Sequence, residues 1–172
     1  MKLAQIREKV AYFEQPINDL KTAGRMWSQH AFKGSVALTL TLKQSYRVES
    51  ERGVYSKSID RNECHRIASQ FRKKLNQQIY GNAAKRFNKS AQYLIAVEGG
   101  AGGLNLHLHM VIGNFPDHVK LNEIERLINN AKSKVVEIND HYELVICDTG
   151  WNEYAVKTIG KNDTDSILWD LA

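Results

Sequence analysis

Two alternating segments around Gly102-Gly103 constrain this chain more than any other feature. Tyr93 to Glu98 and Leu104 to Gly113 alternate with the period of a β-strand, and a Gly-Gly pair supplies the positive φ angles of a two-residue hairpin turn. With the turn centred there, Val97 falls opposite Leu108, Ile95 opposite Met110 and Tyr93 opposite Ile112, so apolar side chains match across one face. The same register sets Glu98 opposite His107 and Ala96 opposite His109 on the other face. Two imidazoles and a carboxylate thus converge on a two-strand platform, with small Ala96 leaving room beneath. Such a set suits Mn²⁺, Mg²⁺ or Zn²⁺ and leaves positions open for water or substrate oxygens. His-x-His alone equally fits a solvated strand face. The carboxylate that the turn brings opposite is what points to a metal.

The rest of the chain arranges itself around this hairpin. Val36, Leu38, Leu40 and Leu42 alternate with Ala37, Thr39, Thr41 and Lys43, which predicts a half-buried strand with a threonine-bearing polar face. Residues 44–59 are polar and predict a loop or an exposed strand. Asp60 with Glu63 makes a capping box for a helix whose stripe is Cys64, Ile67, Ala68, Phe71, Leu75 and Ile79. After Pro116 a second helix buries Leu121, Ile124, Leu127, Ile128 and Ala131, and a strand region follows over about Lys134 to Cys147. The order strand, helix, strand, strand, helix, strand is that of an α+β antiparallel sheet of split βαβ type, with helices on one face and the other face left free. Lys85, Arg86 and Lys89 form a basic loop just before the hairpin. Residues 1–34 read as a helical extension, with Leu3, Ile6, Val10 and Phe13 at helical spacing and Ile17, Leu20, Gly24 and Trp27 less regularly so.

Near the C-terminus, Asp148 or Thr149 caps a helix beginning around Gly150. Asn152, Ala155, Val156 and Ile159 form its packing side, and Trp151, Tyr154, Lys157 and Lys161 the opposite stripe. Tyr154 and Lys157 are i, i+3 neighbours. An ammonium group beside a phenol favours phenolate and can neutralise a phosphate. Alone, Tyr-x-x-Lys also fits an exposed aromatic beside a solvating charge.

Composition sets the outer bounds. The 172 residues, 42% hydrophobic and 25% charged, suffice for one domain with a real core, and there is no repeat or long linker to divide it. No apolar run approaches the ~20 residues of a membrane span, and the charges in the first 15 residues exclude a signal peptide. Two cysteines make neither a zinc motif nor a disulfide framework, so a reducing, cytoplasmic setting is expected. A net charge of +5 admits an anionic partner without proving one.

Taken in order, the threonine-faced strand (36–41), Glu98, His107-Leu-His109 and Tyr154-Ala-Val-Lys157 resemble the HUH endonucleases, in the single-tyrosine rolling-circle replication initiator branch. The resemblance covers about residues 35–161 of a single 1–172 domain. It implies Glu98, His107 and His109 as ligands of Mn²⁺ or Mg²⁺, and Tyr154 as the nucleophile assisted by Lys157. It further implies nicking of single-stranded DNA, at an origin hairpin, through a 5′-phosphotyrosine intermediate. Thr39, Thr41 and Lys43 are then candidate DNA contacts. The implied setting is a host cytoplasm for a plasmid or phage, or a nucleus for a eukaryotic virus. No P-loop is present, so a helicase would come from the host or from a separate or longer chain. Conjugative relaxases place the tyrosine before the histidines. Single-tyrosine transposases typically use a glutamine on the tyrosine helix, and the last glutamine here is Gln92. Other readings are such a transposase, a non-catalytic single-strand binder on the same fold, and a metal hydrolase with water as nucleophile.

Overall fold

Alternation in Val36–Leu42 is that of a strand facing two environments, and these residues form β1, at the interior of the sheet. The structure, a computed structural model, describes residues 34–100, 105–147 and 166–172, together with Thr22, Ala23, Met26 and Phe32. After β1 come β2 (Ser45–Ser50), β3 (Gly53–Ser58), α1 (Arg61–Tyr80), α2 (Asn82–Arg86), β4 (Gln92–Glu98), β5 (His107–Gly113), α3 (Leu121–Lys132) and β6 (Ile138–Ile146). A 3₁₀ turn spans Trp169–Leu171.

The main sheet has the order β4-β5-β1-β6, and neighbouring strands are antiparallel throughout. β1–α1–β4 and β5–α3–β6 are therefore two split βαβ units, each with a strand of the other inserted between its own pair. The fold is α+β, with an antiparallel four-stranded sheet carrying α1 and α3 on one face. Residues 44–59 form the separate β2–β3 hairpin, whose β3 is exposed along its length.

The core lies between sheet and helices. Leu38, Leu40, Tyr93, Ile95, Leu108 and Met110 meet the predicted α1 stripe, all of it buried, and Ile124, Leu127, Ile128 and Ala131 of α3. Each fully buried aliphatic or aromatic side chain contributes about 1.5–3 kcal/mol. Leu121 departs from expectation: it is 58% exposed. As the first residue of α3 it sits at the rim of a shallow groove shared with Val36, Leu144 and Ile146. The capping box on α1 is half formed. The Asp60 carboxylate accepts from the Glu63 N–H at 2.8 Å, but the Glu63 carboxylate turns to Lys57, Arg66 and Tyr46.

The sheet face away from the helices is not free along its length. Ala37, Leu94, Ala96 and Val111 lie on it and are all buried. These four side chains are apolar, so the face that was expected to be left free is apolar and buried along its middle, with Glu98, His107 and His109 at one end and half-buried Gln92 at the other. At the Gln92 end Phe32 packs on Gly113, where an added Cβ would come within 2.8 Å of the ring. Beyond β4, Ile167 bridges Ala96 and the Leu168 N–H donates to the Ile95 carbonyl at 2.9 Å, so the C-terminal segment continues the sheet there. Among the described residues no helix is long and apolar enough to cross a membrane.

Candidate metal centre

The Glu98 end of that face is built by the β4–β5 register. Glu98 pairs with His107, Ala96 with His109 and Val97 with Leu108, as the turn argument requires. The turn residues 101–104 lie outside the described residues. The ladder stops at Glu98 because Gly99 and Gly100 both take positive φ, at 100° and 83°. Gly99 has a second constraint. A Cβ there would lie 2.1 Å from the Asn105 carbonyl oxygen, which could not then approach.

That carbonyl orients His107. Its oxygen lies 3.0 Å from His107 Nδ1 and can only accept, so Nδ1 carries the proton and a neutral ring keeps its Nε2 lone pair for the cluster. His107 Nε2 is 3.4 Å from Glu98 Oε2, and a lone pair so close to a carboxylate needs positive charge between them, either a proton or a cation. His109 Nε2 lies 2.8 Å from the same oxygen, and the two imidazoles meet edge to face at 4.7 Å. On its far side His109 Nδ1 is 3.0 Å from Thr39 Oγ1, its ladder neighbour on β1. A hydroxyl both donates and accepts, so it can serve either tautomer of His109.

Two ligands at about 2.1 Å from one ion stand about 3.0 Å apart at a right angle and about 3.4 Å apart in a tetrahedron. The two histidine–carboxylate separations match those spacings, so Glu98, His107 and His109 form a group that could hold a metal ion. Burial is graded. The His109 side chain is 7% exposed at the base, while Glu98 and His107, at 23% and 27%, form a rim open to solvent. Each histidine has a second partner fixing its ring, as metal-ligating histidines characteristically do.

The other sequence candidates fall variously. Thr39, expected to touch DNA, is turned to His109, and Thr41 donates to the His141 carbonyl at 2.6 Å. Lys43 is exposed where β1 ends, its N–H bonded to the Glu137 carbonyl. Tyr154, Lys157 and the helix read around them lie outside the described residues, as does nearly all of the N-terminal extension. Sequence reasoning missed Gln44. From a positive φ of 64° its amide donates to the Leu106 carbonyl at 2.9 Å and accepts from the Leu106 N–H at 2.8 Å. It thereby pins the segment carrying Asn105 to the end of β1. Nothing in the local pattern marks Gln44 or Asn105, because both act across strands far apart in sequence.

Fold and cluster together define an α+β domain of split βαβ type bearing a histidine–carboxylate group at one end of its sheet. No protein-family model matches the chain, and no curated protein or solved structure is significantly similar to it.

Proposed function

We propose that this chain is a metal-dependent DNA strand transferase of the single-tyrosine HUH type, nicking single-stranded DNA to initiate rolling-circle replication. The observation that carries the reading is the Glu98–His107–His109 cluster, with Nδ1 of each histidine engaged and Nε2 turned to the carboxylate. These residues would hold Mn²⁺ or Mg²⁺, and such an ion polarises a phosphate oxygen and lowers the barrier to attack at phosphorus.

The remaining chemistry belongs to the chain. The phenolic oxygen of Tyr154 forms a bond to phosphorus as the bond to the 3′ oxygen breaks; the phenolic proton passes to solvent, and the leaving 3′ oxygen takes up a proton from solvent. The products are a 5′-phosphotyrosyl ester and a free 3′-hydroxyl able to prime synthesis. One phosphodiester is exchanged for another, so the same residues can rejoin the ends. An unperturbed phenol, with a pKa near ~10, is scarcely ionised at neutral pH, and Lys157 compensates by holding negative charge at the phenolate or the phosphate. Exposed Lys43, at the end of β1, is the one of the three candidate backbone contacts whose side chain is not already committed within the sheet. The partner would be a single-stranded origin, with strand separation supplied by another protein. A base-stacking binder fits less well. Tyr93 donates to Asn76 within the core, and the opposite face is apolar and buried over Leu94, Ala96 and Val111.

The test is covalent capture. Single-stranded DNA of random sequence, labelled at its 3′ end, is incubated with the protein and Mn²⁺, and a denaturing gel is read for labelled protein. Transfer that requires Tyr154, Glu98 and both histidines supports the reading. Nicking without transfer would make water the nucleophile, and transfer by Tyr154→Phe would make it another residue.

A further inference from the structure

From Cys64 to Val97 the chain has no Asp or Glu and seven Lys or Arg, leaving 17 basic against 19 acidic residues elsewhere. The positive balance of the whole protein therefore comes from this one stretch. Arg66 is paired, to Glu63 and Glu137. Arg72, Lys73, Lys85 and Lys89 instead line one cavity of about 410 Å³, between α1, α2 and the 87–91 loop, whose lining includes no carboxylate. Among the described residues none of these four side chains makes a hydrogen bond or an ion pair. Four like charges around one cavity repel, and an anion would relieve that.

The walls are held in place. Asn76, buried on α1, donates to Ser90 Oγ at 2.8 Å and accepts from the Ala91 N–H at 3.1 Å and the Tyr93 hydroxyl at 2.8 Å, fastening the loop to the helix. Gly81, at a φ of 56°, lets the chain leave α1 and turn into α2. The Arg72 guanidinium lies over the Tyr93 ring at 5.5 Å, and its enclosed Nε makes no hydrogen bond. Phe87, which in sequence falls between the lining residues Lys85 and Asn88, is 72% exposed. The core makes no use of that ring.

We propose that this cavity is a second contact for single-stranded nucleic acid, holding a backbone phosphate among Arg72, Lys73, Lys85 and Lys89 while a neighbouring base stacks on Phe87. A free phosphate would account for the cations but leave the phenyl ring unexplained, whereas a strand uses both. The loop enters β4 at its first residue and Glu98 is at its last, about 20 Å away along the strand. The contact is thus separate from the metal centre. It does not depend on cleavage, because binding is read with metal chelated.

The experiment measures the affinity of the full chain for a fluorescent single-stranded oligonucleotide in EDTA over a salt series. Lys85, Phe87 and Lys89 are all exposed, so their substitution leaves the core intact, and an unchanged Tm checks this. Lys85→Gln with Lys89→Gln should lower the magnitude of the slope of log K against log salt by up to about 0.7, the contribution of one phosphate contact on a single strand. Phe87→Ala should weaken binding about tenfold with the slope unchanged. Slope and affinity unchanged in both variants would overturn the proposal. So would loss of pyrophosphate binding by the double variant with its DNA affinity intact, which would make the cavity a small-anion site.

Discussion

Thr39→Val removes one hydroxyl from the base of the candidate metal centre and keeps the shape of the side chain. The Thr39 oxygen lies 3.0 Å from Nδ1 of His109, whose side chain is only 7% exposed, so water does not readily replace it. Leaving a buried polar atom without its partner costs about 1–3 kcal/mol. With a cation on Nε2 the proton must sit on Nδ1, and the hydroxyl is then its acceptor; valine offers none. Losing such a partner typically lowers metal affinity about 10- to 100-fold, or about 1.4–2.7 kcal/mol, which agrees with the desolvation range. Titration calorimetry with Mn²⁺ on the wild type, Thr39→Val and Thr39→Ser measures this. Serine keeps the hydroxyl and should stay within about threefold of the wild type. Valine binding Mn²⁺ as the wild type does would refute the orienting role, and serine losing as much as valine would reduce it to packing.

Gly99→Ala should cost about 1–2 kcal/mol from its φ of 100° alone, and more as the new methyl displaces the Asn105 carbonyl. Thermal unfolding and Mn²⁺ titration should fall together, since the same carbonyl holds His107. The Glu63 carboxyl is held down to about 2, chiefly by the Lys57 ammonium and then by Arg66 and Tyr46. A depressed folded value contributes stability above the unfolded value of 4.5 that is lost as pH falls from there towards 2. Denaturant melts of the wild type and Glu63→Gln should therefore differ by on the order of 2 kcal/mol at pH 7, after discounting for solvent screening, and converge in acid. Lys157→Ala should slow single-turnover covalent capture by about tenfold or more with DNA affinity little changed. An affinity loss equal to the rate loss would leave Lys157 a binding residue only. His107→Ala should lose capture and regain part of it at raised Mn²⁺, which a dose series measures.

The sequence by itself determined what depends on near neighbours along the chain. Alternation in residues 93–98 and 107–113 allows one register that keeps Val97, Ile95 and Tyr93 on the apolar face, and a one-residue slip would invert it. The placement of Glu98 opposite His107 follows from that register. The α1 stripe was equally legible, because an unbroken period places all its members on one face. Only the tertiary structure decided what crosses between segments. Thr39 looked like any polar strand residue until β1 lay beside β5 and set its hydroxyl on His109, 70 positions away. Gln44 met Leu106 and Arg66 met Glu137 in the same way, across 62 and 71 positions. The buried front of the sheet was misread because alternation states which residues share a face and not what that face meets. Pairing between distant strands is fixed by the energy of the whole packed sheet, and no local period carries it.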